Sequence, residues 1–163
     1  MTDDVLNILT AEDADRTLDL NNAHAVETSS LDLAAAERLL AMCFYAKYVS
    51  PGMRGFLLAL DQDAAYDNQN FDWFRRRFER FVYIDRIIVA EDARGRGLAR
   101  LMYEDLFASA KTAGHVRVVC EVNIDPPNEG SLAFHRSMKF VALADVVLKG
   151  GSKRVRYLEK ELD

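Results

Sequence analysis

The sequence predicts an α/β fold, more narrowly an α+β mixed sheet flanked by helices, and two observations support this prediction. Short apolar runs of strand type alternate with segments of helical spacing, in the order β-α-α-β-β-(α)-β-α-β-α-β-β. The last two apolar runs, "FVALADVVL" and "RVRYLEKEL", are joined by "KGGSK", a glycine-rich turn typical of a hairpin. The length of 163 residues predicts one domain, 1–163.

The first half of the chain predicts a strand, two helices and a strand pair. "VLNILT" is a short apolar strand, and Thr10 with Asp13 has the spacing of a capping box for the helix "AEDADRTLDLNNAHA". "SLDLAAAERLLAMCFYA" is rich in Ala and Leu and predicts a second helix, capped by Ser30. "AKYV" and "RGFLLAL" flank the turn-like "SPGM" and predict two strands.

The second half predicts strands that alternate with helices. An acidic loop, "DQDAAYDNQN", leads into a short helical piece, "FDWFRRRFERF". "FVYIDRIIVA" and "HVRVVCEVNI" are rich in β-branched and aromatic residues, which favour strands. The amphipathic "LARLMYEDLFASAKTAG" lies between them, and "EGSLAFHRSMK" follows with helical spacing.

Composition argues against several classes of protein. The formal net charge of -5 argues against a general affinity for nucleic acid. No apolar run approaches the roughly 20 residues that span a bilayer, and the N-terminus lacks an apolar signal core, so we expect a cytoplasmic protein that does not bind membranes. Cys43 and Cys120 lie far apart in apolar surroundings, which predicts free thiols and no metal site.

The most informative segment is "VAEDARGRGLARLM", where a strand gives way to a helix. Free N–H groups at a helix N-terminus favour an anion, and Gly95 and Gly97 lack the Cβ atoms that would keep a phosphate away. Arg94, Arg96 and Arg100 add positive charge. The segment therefore predicts a pyrophosphate-binding loop; the alternative is an ordinary turn with arginines facing solvent.

Three phosphate-binding motifs compete for this loop. A Walker loop needs Gly-Lys-Ser/Thr, which is absent here. The dinucleotide fingerprint needs a small residue where Arg100 stands, which argues against a dinucleotide-dependent oxidoreductase. Arg94, Gly97 and Ala99 match the third motif, Arg/Gln-x-x-Gly-x-Gly/Ala.

At these residues the chain resembles the GNAT superfamily of acetyl-CoA-dependent N-acetyltransferases. "IDRIIVAEDARGRGLARLMYEDL" resembles the family's fourth strand, pyrophosphate loop and third helix, and "CEVNIDPPNEGSLAFHRSMKF" resembles its fifth strand and fourth helix. Lys139 stands where the family pattern has a glycine. The patterns "LNNAHAVETSSLD" and "FLLALDQDAAYDNQNFDWFRRRFERFVYIDR" resemble a bacterial subgroup whose substrate is unassigned.

The resemblance implies a GNAT-like fold whose sheet splays, with acetyl-CoA (coenzyme A) as co-substrate and no metal. Main-chain groups of Ile87, Ile88 and Val89 would bind the pantetheine arm. The pyrophosphate would lie on the backbone amides of the loop, and further contacts would come from the next helix. The implied cofactor-binding residues are Arg94, Gly95, Arg96, Gly97, Leu98, Ala99, Arg100, Asn128, Ser131 and Phe134.

Acetyl transfer to an amine requires a base, because an alkyl ammonium has a pKa of about 10.4. Glu121 lies on the strand where many relatives carry a catalytic glutamate, and we expect it to act through water. Asp85 is the rival base; strand alternation places it on one face with Tyr83 and Ile87. Glu121 could instead face solvent or pair with an arginine, and Asp85 could form a structural pair with an arginine.

His135 occupies the place of the tyrosine that often protonates the coenzyme A thiolate, so we expect it to donate that proton or to pack beside the cofactor. The acceptor, a small-molecule or peptide amine, is expected near His24, Glu27, Tyr83 and Asp85. The alternative to an enzyme is a non-catalytic acyl-CoA-binding module. Pairing through the last strands, common among relatives, makes a homodimer possible.

Overall fold

A computed structural model describes residues 3–24 and 30–163, and in them seven strands form one mixed sheet. The sheet order is β1-β2-β3-β4-β5-β7-β6, and every neighbouring pair is antiparallel except β4–β5. The strands are β1 (Val5–Ile8), β2 (Tyr45–Ser50), β3 (Gly55–Asp61), β4 (Val82–Val89), β5 (Arg117–Asp125), β6 (Val141–Val147) and β7 (Arg154–Glu161).

Five α-helices lie in the two described ranges, and their places confirm the predicted order of elements. They are α1 (Ala14–Ala23), α2 (Leu33–Met42), α3 (Gln69–Arg75), α4 (Leu98–Thr112) and α5 (Glu129–Ser137). The capping box of Thr10 and Asp13 is confirmed at a 3₁₀ turn before α1. The prediction that Ser30 caps the second helix is wrong, because the Asp32 carboxylate accepts the Ala35 N–H instead.

Alternating side chains divide the core between the two faces of the sheet. In β3, Leu57 and Ala59 pack with α4 side chains such as Leu106, on what we call the α4 face. Phe56 packs with Phe71 of α3 on the opposite face, the α3 face. The sheet is therefore the middle of three layers, as predicted. Among the helices of the described residues, none combines the length and apolarity that crossing a bilayer requires.

The parallel strands β4 and β5 pair only at their first residues. Val82 pairs with Val118 and Tyr83 with Val119, after which no further pairs join the two strands. Because β4 continues to Val89 while β5 continues to Asp125, the sheet opens into a gap. Backbone groups along the gap lack ladder partners, which makes them available to a ligand. This is the splay that the resemblance implies.

A β-bulge at Asp85 corrects one prediction about β4. Leu58 pairs with Arg86 and Ala59 pairs with Ile84, so Asp85 is the extra residue. Such an insertion reverses the alternation beyond it. Tyr83 packs on the α3 face, but Ile87 packs on the α4 face, so the prediction that these two residues share a face is wrong.

Candidate active site

The gap between β4 and β5 holds a cavity of about 150 Å³. Polar side chains reach it from both faces of the sheet. Glu121 contacts Asn70 of α3 on the α3 face, whereas Tyr103 and His135 come from α4 and α5. The other lining residues are Ile84, Asp85, Arg86, Ile87, Cys120, Val122, Asn123, Asn128 and Ser131.

The glycine loop forms the floor of a neighbouring groove of about 530 Å³. Gly95 and Gly97 have φ angles of 78° and 77°, in the left-handed region that favours glycine. Gly97 is the N-cap of α4, so the N–H groups of the first turn of the helix have no intrahelical acceptors. Val89, Leu98, Ala99, Gly130 and Phe134 also line the groove.

The arginines of the loop are held by neighbouring groups. Arg96 lies 2.9 Å from Asp4 and Arg100 lies 3.4 Å from the Ser137 hydroxyl. Arg94 donates to Nδ1 of His24 at 3.2 Å. The structure thus places His24, an expected acceptor-binding residue, beside the loop. Glu27, the second of these, lies outside the described residues.

Glu121 accepts three contacts from two side chains. The Tyr83 hydroxyl lies 2.9 Å from Oε1 and 2.8 Å from Oε2, and the Asn70 amide donates to Oε1 at 3.1 Å. The pKa of Glu121 is raised to about 8, chiefly by burial and also by the nearby Asp85 charge, while the hydrogen bonds from Tyr83 and Asn70 oppose the rise. A carboxyl group with this pKa exchanges protons near neutral pH.

Asp85, the rival base, has both oxygens engaged. Oδ1 accepts the Tyr66 hydroxyl at 2.8 Å, and Oδ2 lies 3.1 Å from Nε of Arg86. Burial raises its pKa, and the adjacent Arg86 charge lowers it. Arg86 also donates to Asn21 of α1 at 3.0 Å. Asp85 and Arg86 thus form an ion pair, and which of Glu121 and Asp85 acts as the base stays a prediction.

His135 is almost fully buried, and both of its ring nitrogens have partners. Nδ1 lies 2.7 Å from the Ser131 carbonyl, which can only accept, so this nitrogen carries the ring proton. Nε2 therefore accepts from the Tyr103 hydroxyl, at 2.7 Å. Burial lowers the pKa of His135 and so favours the neutral form of the ring.

The other expected cofactor-binding residues lie on the walls of the two spaces. Asn128 caps α5 by accepting the Ser131 N–H at 3.2 Å, and both residues line the gap. Phe134 packs edge-on against Tyr103. The side chain of Ile88 is buried on the α3 face, while those of Ile87 and Val89 pack on the α4 face.

Sequence reasoning missed two residues of the site, Asn70 and Tyr157. The Tyr157 hydroxyl donates to the Asn70 amide oxygen at 2.7 Å, and Asn70 in turn donates to Glu121. The three residues are separated by tens of positions and lie on different elements, so no local pattern could have linked them. The residues that the structure describes contain no cluster of three or more His, Cys, Asp or Glu side chains able to hold a metal ion.

A comparison with protein families finds that residues 55–140 match the Acetyltransferase (GNAT) family. The chain belongs to that family. The match includes β4, the glycine loop, α4, β5 and α5, so it confirms the family that the motifs indicated. No curated protein sequence gives a significant match to the chain.

Solved structures of GNAT acetyltransferases share the fold over nearly the whole chain. NAA60 of Arabidopsis thaliana, in complex with acetyl-CoA, has a TM-score of 0.75 at 13% identity, covering 98% of each chain. A ribosomal-protein-alanine N-acetyltransferase of Brucella melitensis has a TM-score of 0.73 at 19% identity, covering 97% of this chain and 99% of its own. An N-acetyltransferase of Staphylococcus aureus has a TM-score of 0.73 at 14% identity, covering 99% and 100%. At identities this low, the structural similarity shows the fold alone.

Proposed function

We propose that this chain transfers an acetyl group from acetyl-CoA to a primary amine of a small molecule or peptide. The observation that supports this activity most directly is that two features lie side by side in one site. A left-handed glycine loop opens at the N-terminus of α4, and beside it the splayed gap holds Glu121. Arabidopsis thaliana NAA60, which shares the fold, was crystallised with acetyl-CoA.

Acetyl-CoA would occupy the groove and the gap on the α4 face. The pyrophosphate would lie on the amides of residues 95–100, because these N–H groups open on the groove and carry the positive end of the α4 dipole. The pantetheine arm would pair with the backbone of β4 beyond Tyr83, where β5 has diverged. Asn128, Ser131 and Phe134 would complete the wall.

Glu121 would remove a proton from the incoming amine, through one water molecule. The nitrogen then attacks the thioester carbon, the C–N bond forms and the C–S bond breaks. The first proton of the ammonium passes to Glu121, and the second leaves nitrogen for solvent as the amide forms. Because the carboxylate is the active form and the pKa of Glu121 is about 8, the rate is expected to rise with pH through about 8.

His135 would supply the proton to the departing thiolate. Burial favours the neutral ring, so Nε2 would take up a second proton from solvent once acetyl-CoA is bound and would then donate to the Tyr103 oxygen, at 2.7 Å. Transfer would run from Nε2 to that oxygen while the Tyr103 proton moves to sulfur. The ring is then neutral again, as in the resting protein.

The central test replaces Glu121 by Gln. We expect Glu121→Gln to lower kcat by about 10²–10⁴-fold, the usual contribution of a general base, and to remove the rise of rate near pH 8. Thiol release from acetyl-CoA with a panel of amines measures turnover, and calorimetry measures acetyl-CoA affinity, which is expected to stay within about threefold.

Glu37→Gln is the matched control, since Glu37 is exposed on α2 and the same charge is lost. Equal activity of Glu121→Gln and the wild type would remove Glu121 from the mechanism. Acetyl-CoA binding without turnover on any amine would instead support the non-catalytic acyl-CoA-binding module. A single 1–163 domain, a cytoplasmic location in a bacterium and a homodimer stay predictions.

A further inference from the structure

The segment between β3 and β4, residues 62–81, brings α3 against the catalytic half of the gap. Phe71 and Phe74 of α3 are fully buried in the core of the α3 face, so the helix is firmly seated. Asn70 precedes them and points its amide at the Glu121 carboxylate. The segment also provides Tyr66 to Asp85.

The orientation of the Asn70 amide is determined by its two partners. Its oxygen accepts the Tyr157 hydroxyl at 2.7 Å, and its nitrogen donates to Oε1 of Glu121 at 3.1 Å. A flipped amide would turn its oxygen toward the carboxylate, and two acceptors would then face each other. The ionised Glu121, which can only accept, therefore selects the observed orientation, and the Tyr157 hydroxyl, which can donate or accept, adds a hydrogen bond to the amide oxygen in that orientation.

This arrangement makes the two oxygens of Glu121 unequal. Among the side chains that the structure describes, Oε1 accepts from both Tyr83 and Asn70, whereas Oε2 accepts from Tyr83. A carboxylate oxygen accepts two hydrogen bonds, so Oε2 has one position left for a water molecule or an amine.

We propose that Asn70, held by a hydrogen bond from Tyr157, is a positioning residue that holds the Glu121 carboxylate and leaves Oε2 as the atom that takes the proton. This inference rests on the proposed role of Glu121 as the base. Loss of the Asn70 amide removes a donor to the charged form, so Glu121 becomes harder to ionise and freer to rotate.

The experiment measures pH profiles of kcat/KM for Asn70→Leu and Tyr157→Phe. Asn70→Leu, similar in size but without a donor, is expected to move the alkaline rise of the rate upward by about one pH unit and to lower kcat about tenfold, with KM for acetyl-CoA unchanged. Tyr157→Phe leaves the amide in place but free to turn, so a smaller shift in the same direction is expected.

Gln69→Leu is the matched control for a purely structural role of α3. The Gln69 side chain accepts the Lys149 N–H at 3.1 Å and so anchors α3 to the β6–β7 turn without touching Glu121. A profile of Gln69→Leu that matches that of Asn70→Leu would overturn the proposal, because loosening α3 would then explain both.

A titration without substrate separates this proposal from the proposed function. Glutamate carboxyl groups labelled with ¹³C are followed by NMR, and the Glu121 signal is assigned by its loss in Glu121→Gln. A raised pKa of Glu121 in Asn70→Leu or Tyr157→Phe supports the positioning role even if no amine is acetylated. An unchanged pKa in both variants overturns it, whatever the turnover.

Discussion

His135 and Tyr103 share a hydrogen bond of 2.7 Å in a place almost closed to solvent. If their relay protonates the thiolate, Tyr103→Phe and His135→Gln are each expected to lower kcat about tenfold or more with acetyl-CoA. Phe preserves the ring contacts of Tyr103 with Phe134 and Phe140, so acetyl-CoA affinity is expected to stay within about threefold.

A second acyl donor distinguishes proton delivery from packing. An aryl thioester releases a weakly basic thiolate that needs no proton, so both variants are expected to match the wild type with this donor. Equal losses with both donors would mean that the pair only packs the site. Unchanged kcat in both variants would exclude the relay.

Some features of the individual site residues were predictable from the sequence, whereas others depend on their neighbours in the folded structure. The strand position of Glu121 was readable from the sequence, and so was the possibility that Asp85 pairs with an arginine. The bulge at Asp85 was not, since it depends on register with Leu58 and Ala59 across the sheet. The link from Tyr157 through Asn70 to Glu121 depends on tertiary packing and leaves no local pattern.

At the scale of elements, the glycine loop allows a specific prediction about acetyl-CoA affinity. A Cβ at Gly97 would meet no atom within 4 Å in the ligand-free protein, so Gly97→Ala costs only the strain of a left-handed backbone, about 1–2 kcal/mol. The same Cβ would stand where the phosphates approach the amides. We expect acetyl-CoA affinity, measured by calorimetry, to fall at least about tenfold.

Gly52→Ala is the matched control, because Gly52 also has a left-handed φ, of 68°, and open space around it. It lies in the β2–β3 turn, away from the groove. The two variants should lose similar melting temperature, but Gly52→Ala should keep its affinity for acetyl-CoA. Equal affinities in the two variants would show that the loop does not hold the phosphates.

The helices and strands themselves were largely predictable, because apolar periodicity and turn residues are local signals. The exact ends of the helices were less predictable. Ser30 was expected to cap the second helix, but Asp32 does so, since both residue types suit the position and packing selects between them. Lys139 keeps the left-handed turn after α5, with φ of 71°, where the family pattern has glycine.

At the scale of the whole molecule, the element order predicted the layers, but the splay of the sheet came from the family resemblance. Nothing in β4 or β5 alone tells that their pairing stops at Tyr83 and Val119. The splay nevertheless creates the gap that side chains from both faces of the sheet reach. The glycine loop and α4 adjoin this gap on one face, and Asn70 of α3 contacts Glu121 on the other.

Acetyl-CoA should therefore stabilise the folded chain as it fills the space between two diverging strands. Binding to the native state alone adds about 2.7 kcal/mol at a ligand concentration 100 times Kd, which raises the melting temperature by several degrees for a chain of this size. NADH should give no comparable shift in melting temperature, because Arg100 stands where the dinucleotide fingerprint needs a small residue.

Hydrogen exchange locates the bound ligand. Protection should rise in β4 beyond Tyr83 and at the start of α4, but not in β1 or β2, which lie away from the gap. Stabilisation by NADH instead, or protection confined to β1 and β2, would place the ligand elsewhere and contradict the proposed role of the gap.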